Sequence, residues 1–70
     1  MQRTHVQSTD LESVGYDEPT RTLEIRFLDG SIYQYDDVPQ RVYLELMNAP
    51  RKGVYFHAKI SRAFNYHRVL

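Results

Sequence analysis

The sequence contains no cysteine and no tryptophan, and it has only three glycines and three prolines in 70 residues. Without cysteine the chain can form neither a disulfide nor a thiolate zinc site. No stretch approaches the roughly 18 apolar residues that span a membrane, and the polar start lacks the apolar run of a secretory signal. We therefore expect a cytoplasmic protein without a cofactor that does not associate with membranes.

The length bounds the size of the core. A domain of about 60 residues buries only about 60% of the surface of its unfolded chain, so the core is thin. Burial of aromatic rings is one source of stability, since the chain has six tyrosines and three phenylalanines. Self-association is a second source of stability, and we expect a monomer or a weak homodimer. Residues 1–9 are polar and predicted to be flexible, which leaves residues 10–70 as a single domain.

Acidic residues are absent after Glu45, although the whole chain has a net charge of zero. Residues 1–37 carry three basic and eight acidic side chains, a net charge of −5, whereas residues 38–70 carry six basic and one acidic, a net charge of +5. Two interpretations are open. Either the two halves attract each other inside the fold, or the second half presents a basic face to an anionic partner.

Three segments have the pattern of β-strands. Residues 11–16 form a short strand, and the polar cluster 17–20 contains a proline and predicts a turn. Apolar and charged residues alternate strictly over residues 23–27, which is typical of a strand with one buried face. Asp29-Gly30 then turns the chain into a third strand over residues 32–35. The sequence therefore predicts a three-stranded antiparallel meander.

The loop between the second and third strands decides where Tyr33 and Tyr35 point. A two-residue loop would place both tyrosines on the face opposite to Phe27. A three-residue loop, 28–30, would pair Phe27 with Ser31 and place them on the same face, because a slip of one residue exchanges the faces. We expect the three-residue loop, since so small a domain needs these rings in its core. Exposed tyrosines would instead offer a surface to bases or to a protein partner.

The apolar period becomes helical after the third strand. Residues 36–39, Asp-Asp-Val-Pro, predict a helix start, because carboxylates favour the positive end of the helix dipole and proline suits a first turn. Asn48-Ala49-Pro50 ends this helix. A second helix is predicted from about Arg51 to about Ala63, with Phe56, Ile60 and Phe64 on one apolar stripe. These elements predict an α+β domain in which a three-stranded antiparallel meander is followed by two helices packed on one sheet face.

An ordered set of residues along nearly the whole chain resembles the KTSC family of small domains. The set includes Val14-Gly15-Tyr16-Asp17, the central Tyr33-Gln34-Tyr35, Val38-Pro39-x-x-Val42-Tyr43 and Gly53-x-Tyr55-Phe56. Arg51 and Asn65 depart from the family pattern, in which a small hydroxyl residue and a proline are frequent at these positions. KTSC domains occur at the C-terminus of some lysyl-tRNA synthetases and as free-standing bacterial or phage proteins. The fusion to synthetases implies RNA binding for the family, an inference from the neighbouring domain rather than from a binding site.

Patterns for catalysis and metal binding are weak. Ser61 and His57 have a helical spacing, but a nucleophile also needs a base that an acid orients, and the last 25 residues contain no acid. His5, His57 and His67 do not form the closely spaced pair of a zinc site. We therefore predict a non-enzymatic domain with no catalytic residue and no metal site.

The last third of the chain interleaves basic and aromatic residues. Basic groups neutralise phosphates, and exposed rings stack on unpaired bases for about 1–3 kcal/mol each. We predict weak binding of RNA or single-stranded nucleic acid, although a solvated basic helix face also explains the pattern. The alternative is a protein-interaction or dimerisation module. The candidate contacts are Arg51, Lys52, Lys59, Arg62 and Arg68 for phosphates, and Tyr55 and Tyr66 for bases.

Overall fold

The computed structural model describes all 70 residues as five strands and two helices. The elements are β1 Thr4–His5, β2 Leu11–Asp17, β3 Thr22–Phe27, β4 Ile32–Tyr35, α1 Gln40–Asn48, α2 Lys52–Lys59 and β5 Tyr66–Arg68. The strands form one antiparallel sheet in the order β1-β2-β3-β4-β5, so neighbours in the chain are neighbours in the sheet. Neither helix has the length and apolar character needed to cross a bilayer.

The α+β class and both helices are confirmed, but the sheet has five strands rather than three. The sequence pattern misses β1 and β5 because they are two and three residues long and their side chains are all exposed. Neither strand therefore shows the alternation of apolar and polar residues that identifies a half-buried strand. The second helix is also shorter than predicted, since it ends at Lys59 instead of Ala63 and a turn follows it.

The hairpin between β3 and β4 has the predicted three-residue loop, 28–30. Ile25 lies opposite Tyr33 in the register of the two strands. Gly30 has a φ of 92°, a conformation that glycine adopts without steric cost. Tyr35 is consequently only 4% exposed and Tyr33 is half-buried, so the expectation that both rings face the core is confirmed.

The core lies between one face of the sheet and the two helices. Helix α1 contributes Val42 and Leu46, and helix α2 contributes Phe56. The Phe56 ring meets the rings of Phe27 and Tyr35 edge-on, each at a centroid distance of 5.5 Å. These contacts join α2 to β3 and β4. Val42 and Leu46 belong to the same core cluster, so both helices lie on the sheet face predicted from the hairpin register.

The start of α1 differs from the predicted one. Pro39 is the residue before the helix, and no side chain caps the first turn. Asp37 has a positive φ of 57° and belongs to the bend before the helix. The Tyr16 hydroxyl donates a hydrogen bond of 2.6 Å to the carbonyl of Val38, and its ring stacks on Tyr43 at 4.8 Å. This bond and this stack, rather than an acidic cap, hold the start of α1 on the sheet.

The first residues of the chain pack against the sheet. Strand β1 pairs with β2, and Val6 is 7% exposed as part of the core. Gly15 permits this approach, because a Cβ atom there would collide with the carbonyl oxygen of Gln2. The structure thus gives the segment 1–9 a place in the sheet, while the flexibility expected for it stays a prediction.

Candidate nucleic-acid interface

The predicted phosphate contacts lie at both ends of α2 and on β5. Their positions are Arg51 before the helix, Lys52 and Lys59 as its first and last residues, Arg62 in the following turn and Arg68 on β5. Four of the five are exposed. Lys52 is half-buried, and its Nζ donates a hydrogen bond of 2.9 Å to the carbonyl of Ala49. The structure therefore presents a series of cations along α2 rather than one compact cluster.

None of the lysine and arginine side chains between residues 38 and 70 forms an ion pair. The ion pairs of the chain are Arg3–Glu24, His5–Glu12 and His57–Asp10. Only the last of them joins the basic second half to the acidic first half. Direct ion pairing between the two halves therefore accounts for little of the charge asymmetry. Arg51, Lys59 and Arg62 are exposed to solvent, whereas Lys52 is half-buried.

Tyr66 presents an exposed aromatic ring at the edge of the sheet. It is 57% exposed and lies opposite Tyr35 in the register of β4 and β5. Its ring packs on those of Tyr33 and Tyr35 at centroid distances of 5.9 Å and 5.6 Å. Because two other rings support it, Tyr66 is held in place while more than half of its surface stays open to a base.

Tyr55 has a different environment from Tyr66. It is half-buried, and its hydroxyl donates a hydrogen bond of 2.6 Å to the carboxylate of Glu45 on α1. Burial, this hydrogen bond and the negative charge of Glu45 together raise the pKa of Tyr55 to about 12. Tyr55 thus connects α2 to α1 through its hydroxyl. The Glu45 carboxylate beside it would repel the phosphates of a nucleic acid.

A cleft opens between residues 7–10 and the first turns of α2. The His57 Nε2 and the Asp10 Oδ2 lie 2.6 Å apart at its wall. A Cβ atom at Gly53 would lie 3.3 Å from the Cβ of Asp10, so the glycine allows the helix to approach the loop closely. The cleft is therefore the place where the start of α2 is joined to the N-terminal segment.

Sequence reasoning missed the partner of His57, because Asp10 is 47 residues away in the chain and no local pattern connects them. The helical spacing of Ser61 and His57 does not bring their side chains together, since the Ser61 hydroxyl donates to the carbonyl of His57 at 3.1 Å. No group of three or more His, Asp or Glu side chains is placed to hold a metal ion. The cleft thus contains a hydrogen-bonded carboxylate and imidazole without a nucleophile bonded to either.

Comparison with known proteins gives one consistent family. The model of the KTSC domain matches residues 7–64. A crystal structure of a KTSC domain protein from Yersinia pestis is similar over 99% of this chain and 97% of that one, with a TM-score of 0.96 and 38% identity. An uncharacterised protein of Stutzerimonas stutzeri is 39% identical over 57 residues, which are 81% of this chain and 80% of the relative.

Other relatives are much longer proteins. A lysine–tRNA ligase of Nostoc sp. is 44% identical over 59 residues, which are 84% of this chain but 10% of the ligase. A lysine–tRNA ligase of Trichormus variabilis is 46% identical over 54 residues, 77% of this chain and again 10% of the ligase. The chain therefore spans about a tenth of these ligases and most of the Stutzerimonas relative.

Proposed function

The chain belongs to the KTSC domain family, and from that premise we propose that it is a non-enzymatic accessory module that binds RNA or single-stranded nucleic acid weakly. The observation that carries the proposal is the row of cations along α2 without ion pairs, from Arg51 to Arg62. Such cations gain by neutralising phosphates, because each contact releases counterions condensed on the nucleic acid.

Tyr66 supplies the base contact in this proposal, and Arg68 on the same strand supplies a further phosphate contact. The Tyr66 ring is exposed and supported from below by two tyrosines, the arrangement that stacking on an unpaired base requires. We leave Tyr55 out of the surface, since its hydroxyl is held by Glu45. Lys52 contributes charge, although its ammonium group already donates to a backbone carbonyl.

The relatives support RNA as the anionic partner. Several are lysine–tRNA ligases in which the similar region is about a tenth of the protein, so a module of this kind accompanies an enzyme that acts on a tRNA. The small share of the ligase favours an accessory role over the ligation reaction itself. An RNA partner also fits a cytoplasmic location.

Fluorescence anisotropy with a labelled single-stranded RNA tests the proposal. A single strand contributes about 0.7 released counterions per phosphate contact, so three to four contacts predict roughly 20- to 50-fold weaker binding at about 200 mM than at about 50 mM salt. The double variant Lys59→Glu/Arg62→Glu should abolish binding. Arg26→Glu/Arg41→Glu is the matched control, because it makes the same charge change at exposed positions outside the proposed surface.

The control variant should bind nearly as well as the unmodified chain. Undetectable binding at the lower salt concentration would contradict the proposed function. Equal weakening in the two double variants would show that the net charge of the chain, and not the surface along α2, determines the affinity.

A further inference from the structure

Strand β5 is an open edge of the sheet. It pairs with β4 on one side only, and all three of its residues are exposed. Val69 and Leu70 extend the ladder through hydrogen bonds to Ile32 and are also 51% and 66% exposed. The backbone N–H and C=O groups along such an edge have no partner in the sheet and can pair with another strand.

The hydrogen bonds of β5 show which backbone groups are available. Asn65 accepts and Val69 donates bonds to the β4 segment, and His67 lies between them in the same register. In an antiparallel ladder the intervening residues direct their N–H and C=O groups to the other side. Tyr66 and Arg68 therefore direct one donor and one acceptor each away from the sheet.

We propose that two copies of this chain pair through β5, antiparallel, about a two-fold axis at His67. In this register Tyr66 of one copy lies opposite Arg68 of the second copy. Their outward N–H and C=O groups then form four hydrogen bonds between the copies. The two sheets join into one, and only the two-residue β1 strands remain as edges.

The side chains of β5 favour a second copy in this register. Tyr66 and Arg68 share a face of the sheet, so each tyrosine ring of the dimer faces a guanidinium group, a pairing that is attractive in itself. An axis at Arg68 would instead place two arginines directly opposite each other, which is unfavourable. A two-fold contact is also closed, so pairing ends at the dimer and does not continue into a filament.

This inference goes beyond the proposed function and does not depend on it, because it rests on the backbone of β5 and is measured without nucleic acid. Sedimentation velocity of the full chain from about 10 μM to about 1 mM covers the range expected for so small a contact. The apparent mass should rise from that of one chain, 8.3 kDa, towards twice that value.

A pair of variants at Arg68 separates the backbone bonds from the side chain. Arg68→Pro removes an outward N–H and leaves the bonds to β4 intact, as proline on an edge strand does, so dimerisation should be lost. Arg68→Ala keeps the N–H and removes only the side chain, so dimerisation should persist with weaker affinity. Circular dichroism confirms that both variants are folded. A dimer of unchanged strength in Arg68→Pro would overturn the proposal.

Disulfide formation gives a second test that does not depend on proline. The chain has no cysteine, and residues opposite each other in a pair without hydrogen bonds have Cα atoms about 4.5 Å apart, within the range of a disulfide. His67→Cys should therefore form a covalent dimer under mild oxidation. Arg26→Cys, at an exposed position on an inner strand, should not. A strict monomer at about 1 mM, or equal cross-linking in the two variants, would overturn the proposal.

Discussion

The Arg3 guanidinium and the Glu24 carboxylate form an ion pair across the intervening strand β2, with Nη1 and Oε2 2.5 Å apart. Gly15 lies beneath the arginine, and a Cβ atom there would lie 3.1 Å from its Cγ. Glu24 is 6% exposed on the sheet face that carries no helix, and the Gln34 amide donates to its other oxygen at 2.8 Å. The N-terminal segment therefore covers a buried carboxylate whose two oxygens both have partners.

Removing the cation of this pair should destabilise the fold. We expect Arg3→Met to cost about 1–3 kcal/mol, because Glu24 then stays buried with part of its hydrogen bonding lost. Urea unfolding followed by circular dichroism measures the change. The double variant Arg3→Met/Glu24→Gln should recover most of the loss, since a buried amide needs no cation. If the single and the double variant lost the same free energy of unfolding, the loss of the ion pair between Arg3 and Glu24 would not be the cause of the destabilisation.

The same carboxylate makes stability depend on pH. Burial alone would raise the pKa of Glu24, but hydrogen bonds from Gln34 and Arg3 and the charge of Arg3 outweigh it and hold the pKa below its usual value of 4.5. The unfolded chain therefore takes up the proton first. The stabilisation is present above about pH 4.5 and is lost as the pH falls through the lower, folded pKa.

The urea concentration at the unfolding midpoint should therefore fall as the pH is lowered from about 6 to about 3. The fall should be smaller in Glu24→Gln than in the unmodified chain. Part of the slope should remain in that variant. Hydrogen bonds from the side chain and backbone of Ser31 also lower the pKa of Asp29, which makes a contribution of the same sign. Identical slopes for the variant and the unmodified chain would exclude Glu24 as a source of acid sensitivity.

Tyr16→Phe tests the bond that holds the start of α1. The variant removes the donor to the Val38 carbonyl and should cost about 1 kcal/mol, the usual contribution of one hydrogen bond. Tyr43→Phe is the matched control, because it removes a hydroxyl from the partner ring and keeps the stack. Chemical unfolding of the two variants compares them directly. Because both variants keep the stacked rings, a loss of equal size in both would show that the bond to Val38 contributes no more than the other hydroxyl does.

The sequence predicts the features that depend on local patterns. The alternation over residues 23–27 and Asp29-Gly30 locate the β3–β4 hairpin but allow a loop of two or three residues. The need of so small a domain to bury Tyr33 and Tyr35 favours the three-residue loop, which the structure has. The helical stripe around Phe56 is equally local. Strands β1 and β5 are not predictable in this way, because their residues are all exposed and show no alternation of apolar and polar side chains.

For the candidate interface, the sequence gives the positions of the charges but not their partners. The cations of α2 are evident from residue types alone. Whether they are paired depends on where distant carboxylates lie in three dimensions. Glu24 is 21 residues from Arg3 and Asp10 is 47 residues from His57, so neither pair leaves a periodic signal. The same reason conceals the bond between Tyr55 and Glu45, which removes a tyrosine from the predicted base contacts.

Tyr66 provides the sharpest test of base stacking in the proposed function. Tyr66→Ala should weaken binding of single-stranded RNA by about 1–3 kcal/mol, the usual contribution of one stacked base, whereas Tyr66→Phe should bind with nearly unchanged affinity because stacking needs only the ring. Anisotropy titrations at about 50 mM and about 200 mM salt compare the variants, at a protein concentration below that at which the chain self-associates. Because the loss comes from stacking, the slope of affinity against salt should be the same in both. A different dependence of RNA affinity on salt in Tyr66→Ala would mean that the ring acts by positioning Arg68. Equal RNA affinities for Tyr66→Ala and Tyr66→Phe would exclude the Tyr66 ring from the interface.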